Sequence, residues 1–133
     1  MNLAEVIHQR WAAATALDAL LPVARVVTGM GVDATMPYAV VAKQSERPLT
    51  RHHDGSGVDL VVMRIEVFDE NYDAGAAVLH AIKVAFDRTS FALSDGDDVL
   101  SMNRTGDGET QCDDGVWRFT IDFECTVYLK SGV

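Results

Sequence analysis

The strict alternation of apolar and polar residues over positions 117–129 constrains the fold of this chain more than any other feature. Its apolar positions are Trp117, Phe119, Ile121, Phe123, Cys125, Val127 and Leu129. A period of two places every second side chain on the same face of an extended strand. The segment therefore predicts a long β-strand with one face in a hydrophobic core and a polar face opposite.

Two further segments carry the spacing of amphipathic helices. Residues 2–20 place apolar side chains at helical intervals, with Asn2 available as the N-cap and Pro22 to end the helix. Residues 69–88 repeat the pattern, and Asp69 or Asn71 can cap that helix. Extended segments are predicted at residues 24–28, 36–46, 58–68, 90–93, 99–104 and 116–129.

The order of these elements is a helix, three strands, a second helix and then two or three strands. Segregation of this kind predicts an α+β fold, a mostly antiparallel sheet with two helices packed on one face. At 133 residues the chain has the usual size of one domain. We therefore expect residues 1–133 to form a single α+β domain.

The chain is acidic, with a net charge of −9 from 11 basic and 20 acidic residues. Sequence-independent nucleic-acid binding needs Lys and Arg clustered on one face, so this charge argues against a protein that grips DNA or RNA. No apolar run approaches the ~20 residues that cross a bilayer, and the first residues lack a basic segment followed by an apolar one. We expect a protein that is made in the cytoplasm and has no membrane partner.

The two cysteines, Cys112 and Cys125, lack the CxxC spacing of zinc or redox sites. If both lie in the last hairpin, Cys112 is at its turn and Cys125 is roughly 30 Å further along, at about 3.3 Å per residue. That separation is too large for a disulfide. We expect two free thiols, with Cys125 as a small core residue.

The heptapeptide RHHDGSG, residues 51–57, concentrates side chains that could bind a divalent metal: Arg51, His52, His53 and Asp54. Adjacent ligands in a turn point in divergent directions, and no third histidine or nearby cysteine completes a set. The glycines supply the positive φ angles that a tight turn needs. Two acidic loops, residues 94–98 and 107–115, do not follow the residue order of an EF-hand. The heptapeptide is thus more typical of a solvated hairpin tip, and we expect neither a metal nor a cofactor.

No catalytic constellation accompanies this segment. The chain has no G-x-S-x-G elbow, no phosphate-binding glycine loop and no cysteine with a recognisable partner base. Asp122 and Glu124 share a strand face, but paired carboxylates on a polar strand face are usually solvated. The residues therefore indicate a protein that is not an enzyme.

The polar side of two predicted strands is the second candidate site. Its residues are Arg64, Glu66, Phe68, Thr120, Asp122 and Glu124. A mixed face of this kind is either solvated or covered by another subunit. The residues alone leave both possibilities open.

The order and spacing of several segments resemble the tail-terminator, or tail-completion, proteins of long-tailed phages and gene transfer agents. The resemblance runs from about residue 4 to residue 129 and consists of LDALLP, MPYAVV, TRHHDGSG, AGAAVLHAIKVAF and DDGVWRFTIDFECTVYL. Where the third strand meets the second helix, the family often has a tryptophan and an alanine. This chain has Phe68, Asp69 and Glu70 there.

The resemblance implies a structural virion protein that assembles as a homo-oligomeric ring, commonly a hexamer, on the tail tube. Such a ring ends tube polymerisation and offers a surface to the head connector protein, while DNA passes through without specific binding. The protein would be found in the virion tail, and in the host cytoplasm during assembly. In that setting the tip at residues 51–54 contacts the tube or lines the channel, and neighbouring subunits cover the polar sheet face.

Three other classes stay open. A head–tail connector or neck protein shares the small α+β architecture and would bind the portal side. A small ligand-binding module would need an apolar pocket. A metal-dependent enzyme would need the pair His52 and His53 to find distant ligands.

Overall fold

A computed structural model of the chain describes residues 3–29, 35–93, 96–112 and 114–130. The described helices and strands are, in chain order, α1 (Leu3–Ala13), α2 (Thr15–Leu20), a single 3-10 turn (Val23–Arg25), β1 (Val26–Thr28), β2 (Tyr38–Arg51), β3 (Gly57–Asp69), α3 (Tyr72–Phe86), β4 (Thr89–Ala92), β5 (Asp98–Gln111) and β6 (Trp117–Leu129). Within these ranges, no helix combines the length and apolar character that crossing a bilayer requires.

The strands form one sheet in the order β1-β2-β3-β6-β5-β4. Only the short β1 pairs in parallel, and the other described pairs are antiparallel. The prediction of a mostly antiparallel sheet is therefore confirmed. In the centre, β3 pairs with β6 along all 13 of its residues without a register shift.

The period of two in β6 reappears as alternating burial. Phe119, Ile121, Phe123 and Cys125 have no exposed surface, whereas the residues between them are at least partly exposed. These side chains share one hydrophobic core with apolar residues of α1, α2 and α3. Burying each large apolar side chain is worth ~1.5–3 kcal/mol, so this strand contributes a large part of the core.

The first predicted helix is divided in the structure. The chain leaves the helical conformation at Ala14, which has a ψ of 89°. The indole of Trp11 donates a hydrogen bond to the carbonyl oxygen of Leu21 at 2.8 Å, and the break allows both residues to reach the core. The prediction of two helices is therefore wrong, because the break gives three. α2 ends at Leu20, before Pro22, as predicted for the end of the N-terminal helix. The predicted N-cap, Asn2, lies outside the described residues.

The cap of α3 comes from one of the two predicted residues. The Asn71 side chain accepts a hydrogen bond from Ala74 N at 2.9 Å. Asp69 instead ends β3, is buried, and accepts a hydrogen bond from Asn71 N. Gly75 faces Phe119 so closely that a Cβ atom would collide with the ring. The helix therefore packs directly on β6.

Two strands are longer than their sequence pattern predicts. β2 continues to Arg51 rather than residue 46, and β5 continues to Gln111 rather than residue 104. Apart from Pro48, Leu49 and two glycines, the added residues are polar, and their ladders to β3 and β6 contain register shifts. We call residues 43–51 the β2 arm. Its side chains are exposed, and β1 pairs only with residues 39–41, so no described strand covers the outer edge of the arm.

Candidate functional site

Residues 51–54 lie at the tip of the hairpin that joins β2 to β3. His52 N donates to Ser56 O at 2.9 Å, and Gly55 N donates to His52 O at 3.1 Å. Gly55 has a φ of 85°, a left-handed conformation that glycine adopts without the steric cost of a Cβ atom. The glycine that follows Asp54 therefore serves the turn.

The side chains of the tip do not converge. His52 and His53 are exposed, whereas Asp54 turns back and accepts hydrogen bonds from the hydroxyl and the amide of Ser56 at 2.6 and 2.9 Å. These two hydrogen bonds hold the pKa of Asp54 below its ordinary value, and the bond from the Ser56 hydroxyl has the larger effect. Among the residues that the structure describes, no group of three or more His, Cys, Asp or Glu is placed to hold a metal ion.

The other two histidines belong to the helices. His8 Nε2 lies 2.9 Å from the hydroxyl of Thr28, and partial burial lowers the pKa of His8. His80 is exposed on α3. The structure thus does not bring either of them to the pair at the hairpin tip.

A second hairpin tip, between β5 and β6, repeats the same turn. Cys112 N donates to Val116 O at 2.7 Å, and Gly115 N donates to Cys112 O at 3.0 Å. The Asp114 side chain accepts a hydrogen bond from Val116 N, just as the Asp54 side chain accepts one from Ser56 N. Because the end of β3 next to the first tip pairs with the last residues of β6, the two tips lie at opposite ends of the sheet.

An ion pair holds the base of the first tip. Asp59 is almost fully buried, and its Oδ1 lies 2.7 Å from Nη1 of Arg51. The two atoms are not aligned for a hydrogen bond, so the contact is mainly electrostatic. Burial raises the pKa of Asp59, but the side chains of Glu46 and Arg51 lower it by more. The predicted tip residue Arg51 is therefore engaged inside the subunit.

The second predicted set of residues lies on one face of the central strand pair. We call this the outer face, and it comprises Val62, Arg64, Glu66 and Phe68 of β3 and Arg118, Thr120, Asp122 and Glu124 of β6. Arg64 donates two hydrogen bonds to Asp122, at 2.8 and 3.1 Å. These hydrogen bonds are the largest cause of the raised pKa of Arg64. Arg118 Nε lies 3.7 Å from Glu66 Oε2. The structure thus places the six predicted residues on a common face, and their role in assembly stays a prediction.

Sequence reasoning missed the residues that extend this face on neighbouring strands. Tyr38 pairs with Phe68, and their rings stack with 4.8 Å between centroids. On β5, Gly106 and Gly108 stand opposite residues of the outer face, so that part of the face has no side chains. Two residues apart in a strand, these glycines lie on the same face of the sheet. The sequence could indicate this only if β5 were known to continue beyond residue 104.

Sequence reasoning also missed an apolar groove between α2 and α3. The groove has a volume of about 480 Å³ and is lined by Ala14, Thr15, Ala16, Leu17, Leu20, Ala77, His80, Ala81, Val84 and Ala85. Leu20 and Val84 are 48% and 72% exposed. We call this surface the α2–α3 groove. Alanines dominate its lining, and alanine at helical spacing does not by itself indicate an exposed apolar surface.

Comparison with known proteins assigns the class of protein that this fold represents. Residues 5–128 match the family described as tail completion protein gp17. The chain therefore belongs to the tail completion protein gp17 family, which confirms the resemblance and makes it a structural tail protein.

The fold recurs in a solved virion. A chain from the structure of the virion of a native gene transfer agent particle is 14% identical, with a TM-score of 0.72 over 92% of each chain. At this identity the similarity shows a shared fold. No curated protein matches the sequence.

Proposed function

We propose that this protein assembles as a ring on the end of a tail tube, stops tube polymerisation and provides the surface for the head connector. The observation that carries the proposal is the family match, which spans residues 5–128. The presence of the structurally similar chain in a virion supports assembly with other virion components. The protein would then reside in the virion after assembly in the host cytoplasm, as a structural component without enzymatic activity.

In this proposal the helices cover one face of the sheet and a neighbouring subunit covers the outer face. Charges are costly to bury unless they are paired. Arg64 is already paired with Asp122 and Arg118 with Glu66 inside one subunit, which lowers the cost of removing water from this face. The stacked rings of Tyr38 and Phe68 add an aromatic contact area.

The opposite positions of the two hairpin tips suit a component that lies between a tube and a connector. In the proposed ring, the tip with Arg51, His52, His53 and Asp54 contacts the tube or lines the channel. The tip at Cys112 is then on the side of the head connector. The net charge of −9 argues against a subunit that grips DNA, and so supports passage of DNA without specific binding.

A polymerisation assay tests the proposal. Purified tube protein is polymerised with and without this protein, and tube length and ends are measured by negative-stain electron microscopy. We expect shorter tubes that carry one ring at an end. Tubes of unchanged length without rings contradict the proposal, and binding to the connector protein alone favours a neck protein instead.

Two variants then test the hairpin tip. His52→Ala removes an exposed side chain at the tip proposed to meet the tube and is expected to weaken capping without a loss of folding. Cys112→Ala changes the same turn position at the opposite tip and serves as the matched control. Equal capping by both variants contradicts the assignment of the first tip to the tube.

A further inference from the structure

The α2–α3 groove exposes apolar surface that no described residue of the same chain covers. Leu20 and Val84, on its two sides, are among the most exposed large apolar residues described. Contiguous exposed apolar surface is a recurring feature of contact sites. On α3, Asp73 lies one helical turn before Ala77 and so continues the stripe of the groove at its N-terminal end.

The β2 arm carries the complementary feature, an exposed leucine on a free strand edge. Leu49 is 46% exposed and sits at a register shift between Pro48 and Thr50, so it has no pairing partner on β3. Leu49 does not line its own groove. An exposed leucine beside an unpaired edge is a feature that proteins usually cover.

Charge complements this apolar match at one point of the arm. Lys43 and Arg51 already form ion pairs inside the subunit, with Glu46 and Asp59. Arg47 is exposed, lies two residues before Leu49 and has no ion pair among the described residues. It is therefore the cation of the arm that is available to Asp73 on the stripe of the groove in a second copy.

We propose that the α2–α3 groove receives the β2 arm of a second copy, with Leu49 seated between Leu20 and Val84. The inference rests on the proposed ring, since a contact between two different surfaces of the same chain is heterologous and closes into a ring or continues as a filament. Each contact is small. Rings form when many such contacts act together on a tube end.

Disulfide trapping tests the contact. In a Cys112→Ser background, which leaves only the buried Cys125, a tagged Leu49→Cys protein is mixed with an untagged Val84→Cys protein. The mixture is oxidised after ring assembly on tail tubes, and rings are checked by electron microscopy. Leu100→Cys replaces Leu49→Cys in the control, because Leu100 is 50% exposed and also lies at a register shift, but on β5.

We expect a tagged–untagged disulfide dimer from the Leu49→Cys and Val84→Cys pair, and a ladder of linked subunits when both substitutions are in one chain. The control pair is expected to give less than a tenth of that dimer. Rings without a disulfide, or equal trapping in the control, overturn the contact and leave the ring proposal standing. The absence of rings with the unsubstituted protein overturns both. Thermal unfolding of each variant verifies folding.

Discussion

At the scale of single residues, the two hairpin tips show why the chain places glycine after Asp54 and after Asp114. Both glycines have positive φ angles, 85° at Gly55 and 82° at Gly115, and each aspartate accepts the amide of the residue two positions on. The side chains around the turn are thus free to vary. The paired histidines are surface residues on a turn that depends on glycine.

Gly55→Ala is expected to lower the free energy of unfolding by ~1–2 kcal/mol, because an L-residue pays a steric cost in this conformation. His53→Ala, in the same turn, is the matched control and should change the free energy of unfolding by no more than ~0.5 kcal/mol. Urea denaturation measures both. A clear loss of stability with His53→Ala, or none with Gly55→Ala, contradicts the assigned turn.

The two cysteines are expected to differ sharply in reactivity. Burial raises the pKa of Cys125 to about 12, and the thiolate is the reactive form. At pH ~8 iodoacetamide should therefore modify only Cys112 in the folded protein and both cysteines after unfolding. A thiol whose pKa is higher in the folded protein than in the unfolded chain contributes its full stability below the unfolded pKa. The contribution of Cys125 to the free energy of unfolding is therefore lost as the pH rises from the unfolded thiol pKa toward the folded value of about 12. Rapid modification of Cys125 in the native protein contradicts its place in the core.

At the scale of secondary structure, α3 is fixed to the sheet by a close contact. Gly75 lies against the ring of Phe119, so Gly75→Ala should force the helix away from β6 and destabilise the fold by ~1–3 kcal/mol. Gly108→Ala is the control, because nothing lies within 4 Å of the added Cβ atom there. A Gly75→Ala protein as stable as the control in thermal unfolding contradicts the packing of α3.

Charged contacts connect α3 to the outer part of β5. Lys83 Nζ lies 2.6 Å from Asp107 Oδ2 and Arg104 Nη1 lies 2.8 Å from Oδ1. Lys83, the larger cause, and Arg104 hold the pKa of Asp107 below its ordinary value. A lowered carboxyl pKa contributes stability above the unfolded pKa, and this is lost as the pH falls through the folded value. The stability difference between the unsubstituted protein and Asp107→Asn should therefore shrink from pH 6 to pH 2, and a constant difference in melting temperature contradicts the pair.

The sequence predicted those elements in which burial leaves a periodic pattern. The alternation in β6 and the apolar stripe of α3 follow directly from the core that they face. The extensions of β2 beyond residue 46 and of β5 beyond residue 104 were missed because they are held by hydrogen bonds to a neighbouring strand. Such bonds require no apolar side chain. The break at Ala14 was missed because both halves keep helical spacing, and the α2–α3 groove depends on that break.

At the scale of the whole molecule, the sheet separates surfaces that the proposed ring would need on different sides. The hairpin tips lie at opposite ends of the sheet, and the outer face carries ion pairs that are already formed within one subunit. The α2–α3 groove adds an apolar surface built from the helices. The polar face of the central strands and the turns at both tips were predictable from sequence. The register between β3 and β6, which sets the distance between the tips, requires the structure.

Deletion of the gene in the phage or gene transfer agent that carries it tests the central claim most directly. Tail lengths and head attachment are measured by electron microscopy of the released particles, with a copy of the gene supplied in trans as the control. A protein that caps the tube should leave overlong or unattached tails when it is absent, and complementation should restore normal particles. Normal, joined tails with an unchanged length distribution in the deletion strain contradict tail termination.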